Sequence, residues 1–145
     1  VEIIIGNGVD YFKGDKYIEE VGITGASGRI KKFRGKNFIL ATGGILGEGL
    51  SVYPREIKEA VFNLPVVSHG NLSTEDFFNP EGQPLSYAGV TANSNLQPLD
   101  ISGKVIFENL FVAGATLYGY DPFLEKSGNG VALSTGYKAG LMACR

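Results

Sequence analysis

The sequence has 145 residues, 43% of them hydrophobic, and a formal net charge of −2 from 13 basic and 15 acidic side chains. That is enough apolar chain for one compact domain with its own core. The interspersed charges form no basic stripe to neutralise phosphates, so nucleic acid is excluded as a partner. A single cysteine, Cys144, rules out an internal disulfide and fits a reducing compartment. No run approaches the ~20 apolar residues of a spanning helix, and the first residues do not form a charged leader. The expectation is a cytoplasmic chain whose membrane contacts, where it has any, run through partners.

Glycine is over-represented, with 21 residues in all and clusters at 6–8, 25–28, 43–49 and 128–130, about twice the usual share of roughly 7%. Segments 1–5, 9–13, 17–24 and 29–34 are rich in β-branched and aromatic residues. They are separated by Gly6-Asn7-Gly8, Gly14-Asp15 and Gly25-Ala26-Ser27-Gly28, which predicts an antiparallel β-meander over 1–36. Segment 37–42, Asn-Phe-Ile-Leu-Ala-Thr, is apolar without alternation, as in a parallel strand covered on both faces, and it stops at Gly43-Gly44. Ile57, Ala60, Val61 and Leu64 recur at helical spacing behind Pro54, predicting a helix over 54–64.

Residues 66–100 are irregular and polar. Ser73-Thr74-Glu75-Asp76 is suited to capping a short helix and Asn79-Pro80-Glu81-Gly82 to a turn, so the stretch reads as a substrate-side insertion or lid. A short strand is expected at 104–108 and a second buried strand at 109–113, ending at Gly114. A helix follows over 130–144, with Ala132, Gly136 and Gly140 spaced four apart, where something should pack closely. The overall expectation is an α/β chain in which 37–65 and 101–145 form one unit.

Two parallel-type strands ending in glycine fit the rule that open α/β sheets bind ligands at the carboxyl ends of their strands. The helix opening at Gly128-Asn129-Gly130 presents free N–H groups and a positive dipole end, suited to a flavin carbonyl or an anionic substrate. The run Phe38-Ile39-Leu40-Ala41-Thr42-Gly43-Gly44 resembles the Ala-Thr-Gly segment that flavoproteins of the glutathione-reductase superfamily place beside FAD. Asn109-Leu110-Phe111-Val112-Ala113-Gly114-Ala115 resembles their second FAD strand, and Ser127-Gly128-Asn129-Gly130-Val131-Ala132 their helix start under the flavin. Within the superfamily, Leu117-Tyr118-Gly119-Tyr120-Asp121-Pro122 and the order of glycines most resemble the B-subunit family of anaerobic glycerol-3-phosphate dehydrogenases.

The resemblance implies the C-terminal fragment of a Rossmann-like FAD-binding fold whose dinucleotide-binding half lies N-terminal to it. It implies FAD or FMN as cofactor, a small phosphorylated polyol as substrate, and partner subunits at the inner face of the membrane. It places Thr42, Gly43, Gly44, Gly114, Ala115, Gly128, Asn129, Gly130, Val131 and Ala132 along the cofactor. Most relatives carry an acid where Ala115 stands, and fumarate-type enzymes an arginine where this chain has Phe123-Leu124-Glu125-Lys126, so fumarate chemistry is disfavoured. Gly6-Asn7-Gly8 supplies only two of the three glycines of a dinucleotide fingerprint and reads as a hairpin turn.

Among single residues, His69 is the candidate base for alcohol oxidation, against a solvated loop histidine. Lys126, oriented by Asp121, is the candidate for a substrate phosphate or a reduced flavin, against a surface ion pair. Arg55 could reach an anion or simply face solvent. Asn93, Asn95 and Gln97 offer amides for hydroxyl recognition or for closing their own loop, and Tyr87, Tyr118 and Tyr120 offer rings for stacking or packing.

Overall fold

The computed structural model describes residues 3–4, 8–25, 27–54, 56–68, 70, 72–76 and 78–145. The strand expected at 1–5 and the turn Gly6-Asn7 lie largely outside these residues. β1 (Tyr11–Gly14), β2 (Ile18–Thr24) and β3 (Ile30–Arg34) pair antiparallel in sequence order. Ile18 and Val21 of β2 face the main core, and the rings of Phe12, Phe62 and Phe107 meet edge to face or tilted at 5.1–6.0 Å, tying this sheet to the rest of the chain. On the same strand Glu20 is buried and accepts hydrogen bonds from Tyr11 Oη and Arg34 Nε, both 3.1 Å away. Burial pushes its carboxyl up, but Arg34, Tyr11, Lys32 and Lys13 together outweigh that and hold it below the usual carboxylate value.

β4 (Phe38–Leu40) and β9 (Leu110–Val112) pair parallel, Phe38 opposite Leu110 and Leu40 opposite Val112. Leu110 and Val112 enter the main core, whereas Phe111 and Ala113 pack with Ala139 of helix α1 (Gly128–Ala143) in a second cluster. β9 is therefore covered on both faces. β4 is not, because Ile39 is 46% exposed, and the expectation of two covered faces fails there. Asn109 joins the parallel pair to the antiparallel sheet: its amide accepts from Ile18 N at 2.8 Å and donates to Ile18 O and Lys36 O.

Four other expectations are corrected. The helix over 54–64 is instead a hairpin of β5 (Leu50–Val52) and β6 (Ile57–Glu59) followed by a turn. The buried Glu59 carboxylate accepts the N–H groups of Val61, Phe62 and Leu64, satisfying the donors that helical bonds would otherwise have taken. The strand at 104–108 shrinks to a bridge between Leu99 and Val105, because Asp100 binds Ser102 N and Lys104 N and turns the chain. No helix starts at 73–76 among the described residues: Thr74 Oγ1 donates to Asp76 O, and the helical turn comes later, at Pro84–Tyr87. It leads into β8 (Gly89–Val90), which pairs antiparallel with β7 (Val66–Val67).

Helix α1 buries Ala139, not the small-residue row. Ala132 and Gly136 are exposed, and an added Cβ at Gly136 or Gly140 would meet nothing within 4 Å. The turn at Asn79-Pro80-Glu81-Gly82 forms as expected, with Gly82 N donating to Asn79 O at 2.9 Å.

Candidate functional site

The parallel pairing delivers the two glycine-bearing strand ends to the same place. Ala113 N donates to Leu40 O at 2.9 Å, after which both chains turn with positive φ at Gly43 and Gly114. Thr116, fully buried, clamps them together by donating from Oγ1 to Gly43 O at 3.0 Å. A Cβ on Gly44 would stand 2.8 Å from Ala115 O, so only glycine permits this approach. Beyond it the loop folds onto itself, the Gly44 carbonyl accepting from Gly47 N, Gly49 N and Leu50 N at 3.1–3.3 Å.

Helix α1 begins behind Gly114. The N–H of Gly114 donates to Thr135 Oγ1 at 2.8 Å, and the nearest heavy atom to a Cβ there would be Ala132 Cα at 4.0 Å.

Between the strand ends lies a cavity of about 200 Å³, bounded by residues 43–47, by Leu85, Ser86 and Ala88, and by Ala115, Leu117, Tyr120, Pro122 and Phe123. None of these side chains is charged. Of the residues expected along the cofactor, Gly43, Gly44 and Ala115 line the cavity. Thr42 lies under the glycine loop beside Gly49, and Gly128, Asn129, Gly130, Val131 and Ala132 form the first turns of α1 outside the cavity wall. Lys126 is exposed, has a positive φ and makes no ion pair among the described residues. His69 and Arg55 lie outside the described residues.

Asp121 does not orient Lys126. It is buried and caps its own turn, Oδ1 accepting from Phe123 N at 2.8 Å and Leu124 N at 3.0 Å. Asn93 and Gln97 close their loop, Asn93 Nδ2 donating to Gln97 Oε1 and Asn93 Oδ1 accepting from Gln97 N, both at 3.0 Å.

The sequence does not single out Tyr120 for a polar role. The residue lines the cavity, and its hydroxyl is buried without a hydrogen-bond partner among the described residues. Burial, and then the Glu125 charge, push the phenol up, so it stays a neutral donor. Both sides of the residue are pinned: Tyr118 N donates to Val90 O and Gly119 N to Tyr87 O, while the Asp121 turn follows. Asp121-Pro122 announces a turn, but no spacing rule reveals that the preceding ring reaches the cavity.

A family model for the FAD binding domain matches residues 15–131. The chain belongs to the FAD binding domain family. Of the two flavins that the sequence reading leaves open, the match speaks for FAD. Curated relatives include the B-subunit of anaerobic glycerol-3-phosphate dehydrogenase from Aliivibrio fischeri strain MJ11, 38% identical over 107 residues, covering 72% of this chain and 23% of the relative. The protein of the same name from Vibrio cholerae O1 El Tor Inaba N16961 is 34% identical over 149 residues, covering 94% and 33%. A probable one from Halobacterium salinarum strain ATCC 29341 / DSM 671 / R1 is 33% identical over 109 residues, covering 73% and 25%. The FAD-binding chain thus spans a quarter to a third of the length of these relatives. No solved structure gives a significant match.

The cavity fits part of this cofactor. At about 200 Å³ it is smaller than the roughly 300–1,000 Å³ of whole ligand sites, so it has room for one end of such a molecule only. A glycine floor that a Cβ would obstruct, apolar walls and one orphaned hydroxyl suit the edge of a flat ring that carries a polar atom.

Proposed function

We propose that this chain forms the ring-binding side of the FAD site in a flavin-dependent dehydrogenase that oxidises glycerol 3-phosphate to dihydroxyacetone phosphate. The observation that carries this reading is the meeting of two glycine-bearing parallel strand ends at an apolar cavity, in a chain whose family binds FAD. The names of the relatives supply the substrate. Gly43, Gly44 and Ala115 lie against the cofactor through backbone, and the start of α1 at Gly128–Ala132 adds its dipole from behind Gly114.

Bound FAD supplies the hydride acceptor, and the protein sets position and electrostatics. His69 takes the alcohol proton. With no cation among the described residues of the cavity wall, the substrate phosphate is held outside it, with Lys126 as its partner. Residues 66–100 act as a substrate-side lid, its 84–88 turn closing one wall. In the fold we infer, the antiparallel strands are the meander of a Rossmann-like FAD domain, whose pyrophosphate-binding half comes from an N-terminal segment. Partner subunits carry electrons onward at the inner face of a membrane. No helix among the described residues is long and apolar enough to cross one.

Among the described residues, the cavity wall holds no imidazole, amine or carboxylate, which favours a second reading: a flavin-binding electron-transfer or assembly subunit without substrate chemistry. Anaerobic titration of the full-length protein with glycerol 3-phosphate separates the two. Bleaching of the visible flavin band is expected for the dehydrogenase, and an unchanged band would sink it.

A further inference from the structure

Among the described residues, Tyr120 is the place where a buried side-chain polar atom breaks the rule that such groups are paired. Its hydroxyl is buried and no partner meets it, whereas the backbone on both sides is fixed by Tyr118 N to Val90 O at 3.0 Å, Gly119 N to Tyr87 O at 3.2 Å and Asp121 N to Glu125 Oε1 at 3.1 Å. A hydroxyl out of water and without a partner costs free energy. The held backbone keeps the ring beside the cavity that Tyr120 lines, and a ligand atom there is what would supply the missing partner.

The cavity chemistry narrows which atom. Apart from Ser86, the described residues of the wall are apolar or glycine, with Ile45, Leu46, Leu117 and Phe123 at its sides, and none of them carries a charge that would attract a phosphate. A flat ring with an uncharged acceptor at its edge matches one donor among apolar walls, whereas a polyol phosphate would leave several hydroxyls and a dianion unmet. We propose that Tyr120 Oη donates a hydrogen bond to a carbonyl oxygen or ring nitrogen of the FAD ring system, making Tyr120 a cofactor-positioning residue. The proposal rests on the flavin reading above. A donor at the ring edge stabilises the reduced, more negative ring more than the oxidised one, because hydrogen bonds to charged acceptors are the stronger kind.

The test uses the full-length protein and Tyr120→Phe, which keeps the ring and removes one oxygen, with Tyr137→Phe on the exposed face of α1 as control. Without FAD, Tyr120→Phe melts at the same temperature as the parent or higher, since the orphan is gone. With FAD, its affinity falls about three- to tenfold, its melting shift on adding FAD shrinks, and the flavin becomes harder to reduce. A tenfold change in the reduction equilibrium is about 30 mV for a two-electron couple. The control changes none of these. Full FAD affinity with an unchanged potential and spectrum in Tyr120→Phe would overturn the proposal and leave the flavin reading standing. A raised KM with an unaltered flavin would also overturn it, placing the hydroxyl on substrate. A parent protein that binds no FAD would overturn both.

Discussion

At the junction of the antiparallel sheet with β9, Asn109 is 5% exposed and its amide is fully engaged, holding Ile18 through two hydrogen bonds and Lys36 through a third. At the strand-end cavity, Tyr120 buries a hydroxyl that meets no hydrogen-bond partner among the described residues. Both are polar groups taken out of water, yet one network is closed and the other open. A closed network spends its polarity on the fold, whereas an open one keeps a donor in reserve for something that arrives later. The same division runs through neighbouring residues: Glu59 and Asp121 are consumed by the turns they cap, and the cavity wall carries almost no polarity of its own.

Substitutions can break this contrast. Asn109→Leu leaves the Ile18 N–H and the Ile18 and Lys36 carbonyls without partners, and should cost about 3 kcal/mol or more in chemical denaturation. A loss under about 1 kcal/mol would mean that the junction is not held as described. Glu59→Ala strips an acceptor from three N–H groups of the turn after β6, with an expected loss of about 2 kcal/mol by the same measurement. Thr116→Val keeps the volume but frees the two strand ends; about 1 kcal/mol of stability should go, and FAD affinity should drop with it.

The smallest effect is one of slope. Because Glu20 is held below its ordinary value, its contribution is complete above the unfolded carboxylate range, about pH 4.3. It is lost as pH falls through the lower folded value. Glu20→Gln should therefore flatten the acid side of the melting-temperature profile, and an unaltered profile would remove Glu20 from the account.

What could be read from the sequence follows the same division. The three antiparallel strands, the parallel pair and helix α1 announce themselves through β-branched runs, glycine punctuation and unbroken apolar stretches such as Leu110-Phe111-Val112. The segment 54–64 misleads because its helical spacing competes with a carboxylate three residues before Phe62 that captures the same N–H groups, and periodicity carries no information about that competition. Gly43, Gly44 and Ala115 are legible as a site because strand ends in glycine have a local signature. Tyr120 is legible as a ring for stacking or packing but not for its hydroxyl, since that role arises from the 84–88 turn lying against 117–119, a contact between segments some thirty residues apart that no local pattern encodes. The small row on α1 signals close packing, yet among the described residues nothing covers Gly136.

The claim that the glycine-floored cavity holds FAD is tested most directly by the flavin content of the full-length protein and of its Gly44→Val variant. Any side chain at that position meets Ala115 O at the cavity floor, while the main core around Leu110 and Val90 is untouched. The parent should purify with stoichiometric FAD, and the variant should fold with the same circular dichroism and no flavin. A folded Gly44→Val protein that retains its full complement of FAD would contradict the account.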